Sequence, residues 1–250
     1  MAMTDDATPA ERRVFEDGEA LARAAADWIC TLASAAEKTF AICLSGGSTP
    51  QRLYELLAAP PVAARFPWDR VHWFWGDERF VPRDSPESNF RMVREALIAQ
   101  APISRANIHP IPTGGPAESL SPEAAAAAYE ATLKGFHGSG QLTPDNPLFD
   151  LTLLGIGTDG HTASLFPGHP ELEERRRWAV PAIGPDGLRR ISLTYPALNS
   201  SRQVAFLAVG EKKRESVARA QAGDEALPAA RVRPVGRLTW FTDRAAASNP

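Results

Sequence analysis

The sequence predicts an α/β fold, with a mostly parallel sheet, helices on both faces and a small antiparallel excursion. Short apolar runs alternate with longer segments of helical periodicity through most of the chain, the pattern of repeated βα units. Four apolar runs each give way to a polar cluster containing glycine, at residues 45–49, 76–79, 155–161 and 210–213. Open α/β sheets bind ligands in the crevice at the carboxyl ends of their strands, so these clusters are expected to share one site. The excursion is predicted near residues 178–194, where two apolar runs flank Gly184-Pro185-Asp186-Gly187, a hairpin-like turn signal.

At 250 residues the chain has the length of one large α/β domain or two small ones. Residues 1–15 read as a polar lead-in and 16–250 as a single α/β domain. A hydrophobic content of 44%, a charged content of 23% and a net charge of −3 describe an ordinary globular composition and argue against nucleic acid or a membrane surface as partner. Lysine occurs only at positions 38, 134, 212 and 213. Cys30 and Cys43 fall on apolar patterns and suit buried free thiols, with no metal-ligand spacing around them. No signal peptide or membrane span is legible, so a cytoplasmic location is expected.

Taken in order, Leu21, Ala24, Ala25, Trp28, Ile29, Leu32 and Ala35 recur at helical spacing and predict a helix over Asp17–Lys38. Thr39–Leu44 reads as a strand ending in Ser45-Gly46-Gly47-Ser48-Thr49-Pro50, with Thr49 the expected N-cap of a helix over Gln51–Ala58. Val71–Trp75 is a second strand, in which His72 is expected to pack rather than to react. Ser88 is a fair N-cap for a helix over Asn89–Ala99. Ile108–Ile111 is an edge-strand candidate because of its proline. Pro112–Leu120 reads as a loop, and Ser121-Pro122-Glu123 opens a helix to about Phe136. Leu151–Leu154, Trp178–Ile183, Arg190–Thr194, Gln203–Val209 and Leu238–Phe241 complete the strands, and Glu211–Ala222 is the last helix.

The stretch Phe149–Gly168, FDLTLLGIGTDGHTASLFPG, organises the rest. Gly155, Gly157 and Gly160 spell the dinucleotide-binding G-x-G-x-x-G after a strand. The context rejects that reading. Pro167 stops any helix seven residues after Gly160, and Glu171–Arg177 is a charged surface segment where a second strand with its acidic residue would be needed. The turn at 45–49 has a different meaning. Its paired glycines admit a ligand close to the backbone, and Ser48, Thr49 and the helix-start N–H groups offer donors to an anion. It lacks the Gly-Lys-Ser/Thr of a nucleotide P-loop, which favours a single sugar phosphate over a triphosphate, with a plain capping turn as the alternative.

With SGGSTP, WGDERFVPRDSPESNF, LLGIGTDGHTASLFPG, LTYPALN, VGEKKRESV and RLTWFTDRAA on the page, the chain resembles the 6-phosphogluconolactonases, relatives of the glucosamine-6-phosphate isomerases/deaminases, over nearly its whole length. The resemblance implies a Rossmann-like three-layer α/β/α fold. It also implies cofactor-free hydrolysis of a small sugar-phosphate lactone; no metal is expected at the site, and a monomer or weak homodimer is the expected assembly. Lactone opening needs an activated water, a stabiliser for the developing oxyanion and a holder for the phosphate.

Under that resemblance His161 is the candidate base, since an imidazole with its ordinary pKa of ~6.5 is substantially neutral near pH 7. Arg79 is expected to serve the lactone oxygens or the phosphate, held by Asp77 and Glu78. Asp159 either orients His161 or stabilises the glycine loop through an Asx-turn. Gly46, Gly47, Ser48, Thr49 and Lys213 are expected to take the phosphate, with Asp77 and Glu78 also at the substrate, and Lys212 as an ambiguous neighbour. Ser164 lacks the Gly-x-Ser-x-Gly elbow and receives no catalytic role. An aminosugar-phosphate deaminase is disfavoured because no acid occurs between His161 and Glu171. A non-catalytic sugar-phosphate sensor would need an effector domain for which no segment is left over.

Overall fold

The computed structural model describes residues 10–113 and 120–247. In chain order it contains β1 (Glu11–Phe15), α1 (Gly18–Ala35), β2 (Phe40–Leu44), α2 (Ser48–Ala58), β3 (Val71–Trp75) and β4 (Asp77–Arg79). Next come α3 (Asn89–Val93), which continues as a π-helical turn over Arg94–Ile98, then β5 (Ile108–His109) and α4 (Pro122–His137). The remainder is β6 (Phe149–Leu154), β7 (Ala179–Ile183), β8 (Arg189–Leu193), α5 (Tyr195–Asn199), β9 (Ser201–Ala208), α6 (Arg214–Gln221) and β10 (Arg237–Asp243).

Seven strands form one parallel sheet in the order β1-β10-β9-β6-β2-β3-β5, with helices on both sides. A second, antiparallel sheet has the order β4-β8-β7. The three-layer α/β architecture with its excursion is therefore present. Every residue of β2 is buried, which is why that strand reads as continuously apolar rather than alternating. Ile42 lies in register with Trp73 on one side and Leu151 on the other, so the central strands meet through large apolar side chains. Cys30 and Cys43 are buried free thiols.

Two buried tyrosines join helices to strand ends. Tyr54 Oη of α2 donates to Ser45 O at 2.8 Å and accepts from Ser45 N at 3.0 Å, just beyond β2. Tyr129 Oη of α4 does the same at the end of β3, donating to Trp75 O at 2.8 Å and accepting from Trp75 N at 2.9 Å. Each hydroxyl bonds both backbone groups where the chain leaves the strand, at the buried Trp75 and the partly buried Ser45, so these groups need not be left without partners.

Several expectations are corrected. Residues 11–15 are not lead-in: they pair with β10, and Phe15 stacks on Phe241 at 5.7 Å. The strand escapes a sequence reading because it is an edge, where polar residues are tolerated, and Glu11 and Arg12 are exposed. Residues 77–79 form β4 instead of a simple polar turn. The helix expected over 211–222 is divided into a 3₁₀ turn, Glu211–Lys213, and α6. Of the loop expected at Pro112–Leu120, residues 114–119 lie outside the described residues, as do residues 1–9 of the expected lead-in.

His72 packs, as its place in a strand predicts. Its ring stacks on His109 of β5, with Nδ1 and Nε2 of the two rings 2.9 Å apart, and both rings lie against Phe136. Burial lowers the pKa of His72, and burial together with its partner pushes His109 down to about 4. A histidine that is harder to protonate in the folded chain costs stability as pH falls from its unfolded value of ~6.5 toward its folded value. Thermal unfolding from pH 7 down to pH ~4.5 is therefore expected to show an acid-side fall in Tm that His109→Phe reduces; an unchanged profile in that variant would remove the histidine pair as the cause.

Candidate functional site

The sheet order explains why the polar clusters meet. From β2 the chain moves to β3 and β5 on one side, then returns to place β6 on the other side of β2, followed outward by β9 and β10. The order reverses between β2 and β6, the position at which open α/β sheets bind ligands. The clusters at 45–49, 76–79, 155–161 and 210–213 follow β2, β3, β6 and β9, which are four neighbouring parallel strands.

At the end of β2, Gly47 rather than Thr49 is the N-cap of α2, and the helix begins at Ser48. Gly47 has φ +106°, a conformation that disfavours any residue with a Cβ, and no side chain caps the first turn. Gly47 and Ser48 are exposed, with Gly46 and Thr49 partly so. The helix start thus offers uncapped N–H groups and two hydroxyls to an anion.

The second cluster is built on a buried carboxylate. Glu78, 2% exposed, accepts from Arg79 N and Asn89 N at 2.8 Å each, from Phe90 N at 2.7 Å and from Ser88 Oγ at 3.1 Å. It therefore anchors the start of α3. Burial pushes Glu78 up to about 7, against the pull of the N–H donors from Phe90 and Asn89. Asp77 is also buried, and its Oδ2 accepts from Ser164 Oγ at 2.6 Å, tying β4 to the segment after β6.

Arg79 corrects the sequence expectation. Neither Asp77 nor Glu78 holds its guanidinium; Nη1 donates to Glu87 O at 3.0 Å and to Asn89 Oδ1 at 2.9 Å. The carboxylates are occupied by backbone and hydroxyl donors, which leaves Arg79 with no ion pair among the described residues. Its Nε and Nη2 bond to no described residue, leaving one edge of the fork for a ligand.

After β6 the chain makes a tight turn. Gly157 N donates to His161 O at 2.8 Å, and Gly160, at φ +82°, carries the backbone back. The turn juxtaposes Asp159 and His161: Oδ1 of Asp159 lies 2.6 Å from His161 Nδ1 and accepts the His161 backbone N–H at 3.1 Å. A Cβ on Gly157 would overlap both side chains, so this glycine makes room for the pair. One carboxylate oxygen thus makes both an Asx-type backbone contact and a contact to the ring. Partial burial raises the Asp159 pKa, but the hydrogen bonds and charge of His161 outweigh it and hold the carboxyl below its ordinary value. The His161 ring packs on Phe166 at 4.8 Å and stays partly exposed. With Nδ1 turned to a carboxylate, Nε2 is the nitrogen left to act as an acceptor.

After β9, Gly210 has φ +93°, and its N–H donates to both carboxylate oxygens of Asp243, at 3.0 and 3.1 Å. This turn places Lys213 half-buried within electrostatic reach of Asp159. Burial lowers the Lys213 pKa and the Asp159 charge opposes that shift. Lys212 is exposed.

The sequence reading missed Asn89, treated only as a helix start, and Ser164, which holds Asp77. The signal for Asn89 was a polar residue immediately after an N-cap serine in a motif otherwise read for its charges. Among the described residues no three His, Cys, Asp or Glu side chains gather as a metal-ion site, and no helix is long and apolar enough to cross a membrane.

Residues 16–240 match the family model described as glucosamine-6-phosphate isomerases/6-phosphogluconolactonase. A protein from Nostoc sp. named 6-phosphogluconolactonase is 40% identical over 94% of this chain and 96% of its own length. One of the same name from Synechocystis sp. is 42% identical over 83% of each chain. The crystal structure of 6-phosphogluconolactonase from Thermotoga maritima is similar with a TM-score of 0.79 at 32% identity, covering 94% of this chain and 100% of that one.

The Glu78 environment is testable directly. Infrared titration is expected to show a protonated-carboxyl band that disappears with a midpoint of about 7 and is absent from Glu78→Gln; a band surviving the substitution would assign it to another group.

Proposed function

The chain belongs to the glucosamine-6-phosphate isomerase/6-phosphogluconolactonase family, and from that premise we propose that it hydrolyses 6-phospho-D-glucono-1,5-lactone to 6-phospho-D-gluconate, the second step of the oxidative pentose phosphate pathway. We read the chain from β1 onward, residues 11–247, as the lactonase-type unit that does so. The observation that carries the mechanism is the 2.6 Å contact between His161 Nδ1 and Asp159 at the carboxyl end of β6.

With Asp159 holding Nδ1–H, His161 Nε2 accepts a proton from a water, whose oxygen attacks the lactone carbonyl carbon. The carbonyl electrons move onto oxygen, and the free edge of the Arg79 guanidinium stabilises that charge. Collapse of the tetrahedral intermediate re-forms the carbonyl and breaks its bond to the ring oxygen. The ring oxygen leaves with the proton held by His161, which returns the base to its starting state. Asp159 remains the anion that pairs with the imidazolium, consistent with its lowered pKa. The phosphate is assigned to the uncapped start of α2, Gly46 to Thr49, with Lys213 supplying charge. Asp77 and Glu78 shape the site from beneath rather than binding the substrate, because their oxygens are turned to protein donors and an anion would be repelled by them.

Hydrolysis of freshly generated lactone, measured above its spontaneous rate, is expected to fall about 100-fold or more in His161→Ala. If wild type and variant are equally fast, His161 is structural; if neither exceeds the background and the wild type still binds 6-phosphogluconate by calorimetry, a sensor replaces the enzyme. Arg79→Lys separates the two roles open to the guanidinium: a loss in kcat assigns it to the oxyanion, and a loss confined to KM assigns it to the phosphate.

A further inference from the structure

Asn89 is 3% exposed, yet each of its polar groups is committed to the site. Its backbone N–H donates to Glu78 at 2.8 Å, its Nδ2 donates to Asp77 O at 2.9 Å, and its Oδ1 accepts from Arg79 Nη1 at 2.9 Å. A weaker 3.4 Å contact from Nδ2 to Asp77 Oδ1 completes the set. The same Oδ1 lies against the α-carbon of Gly46, where a Cβ would overlap it. The carboxamide thus touches the turn after β2 and the cluster after β3 at once.

Only an amide fits these neighbours. It must donate toward the Asp77 carbonyl and accept from a cation, which fixes the orientation of its oxygen and nitrogen. An aspartate would still accept from Arg79 but would turn a negative oxygen toward Asp77. An alanine would leave Arg79 Nη1 with Glu87 O alone, and a glutamine would drive an extra methylene toward Gly46 or Arg79.

Resting on the lactonase reading above, we propose that Asn89 is a positioning residue: its carboxamide holds the Arg79 guanidinium at the edge of the Gly46 turn, so that the groups at the phosphate-binding turn and Arg79 engage one substrate in fixed register. Asn89 touches no reacting atom. It acts through Arg79, by occupying the inner edge of the fork and leaving Nε and Nη2 facing the ligand. The requirement for glycine at position 46 follows from the same contact, since the turn must admit the Asn89 oxygen as well as an anion.

The test is a double-mutant cycle of wild type, Asn89→Ala, Arg79→Ala and the double variant, with kcat and KM measured on the lactone and 6-phosphogluconate affinity measured by calorimetry. Losing a hydrogen bond to a charged group is expected to lower kcat/KM in Asn89→Ala by about 10- to 100-fold. The double variant is expected to be no worse than Arg79→Ala by more than about threefold, because a residue acting through another has nothing left to lose. Losses that multiply, or an Asn89→Ala enzyme as fast as wild type, overturn the proposal. Circular dichroism and Tm establish folding. If the alanine variant does not fold, the near-isosteric Asn89→Leu, which keeps the volume but can neither accept from Arg79 nor donate to Asp77, carries the same cycle with the same criterion. If the wild type does not turn over the lactone, the lactonase reading fails separately, and the affinity cycle decides Asn89: non-additive losses support it and additive losses reject it.

Discussion

The site rests on a buried carboxylate accepting the N–H groups that begin a helix. Glu78 follows strand β3 by three residues and receives donors from Arg79, Ser88, Asn89 and Phe90. Burying an acid costs several kcal/mol in lost hydration, and hydrogen bonds to a charged group return about 1.5–3 kcal/mol each, so the arrangement is favourable only while most of the donors are in place. This couples β4 to α3. Once that junction is set, Arg79 and Asn89 have little freedom, since each contributes a backbone N–H to the same carboxylate while their side chains hydrogen-bond to one another.

The scaffold behind the site uses a related device. Tyr54 and Tyr129 come from different helices, yet each closes both backbone groups of the residue at which the chain leaves the sheet. The ends of β2 and β3 are therefore fixed from below, and the loops above them begin from defined positions. The segment after β6 is held by side-chain contacts instead: Thr162 Oγ1 donates to Gly155 O at 2.9 Å and Ser164 Oγ to Asp77. Between them Ala163 has φ +47°, a left-handed conformation that costs an L-residue about 1–2 kcal/mol. Its neighbours over-determine it, and the resulting turn delivers Ser164 to Asp77 and Phe166 to the face of His161.

Charge is distributed in keeping with an anionic substrate. Asp77 and Glu78 are buried and taken up by donors, whereas Arg79 and Lys213 remain partly exposed without a carboxylate within ion-pair distance among the described residues. Asp159 is the negative group nearest the proposed chemistry, and it faces the imidazole. The two buried carboxylates are taken up by protein donors, while the two cations stay partly open to solvent.

Much of the fold could be read from the chain because hydrophobic period and glycine-bearing turns are local properties. They located β2, β3, β6 and β9, the caps at Ser88 and Ser121, and the polar clusters that the parallel order gathers at one end of the sheet. The Asp159–His161 pair was legible for the same reason, two residues apart in one turn. Edge strand β1 and the three-residue β4 were not, since an edge tolerates polar residues and a short charged strand carries no period. The partners of Arg79 were decided only by tertiary structure: sequence adjacency pointed to Asp77 and Glu78, but burial turned their oxygens toward the start of α3 and left Asn89, ten residues away, to hold the guanidinium. The sequence by itself determined which strands end in polar, glycine-bearing clusters and which residue types stand there. Which side chains touch was settled by the folded chain, because a buried acceptor must find its donors wherever the backbone brings them.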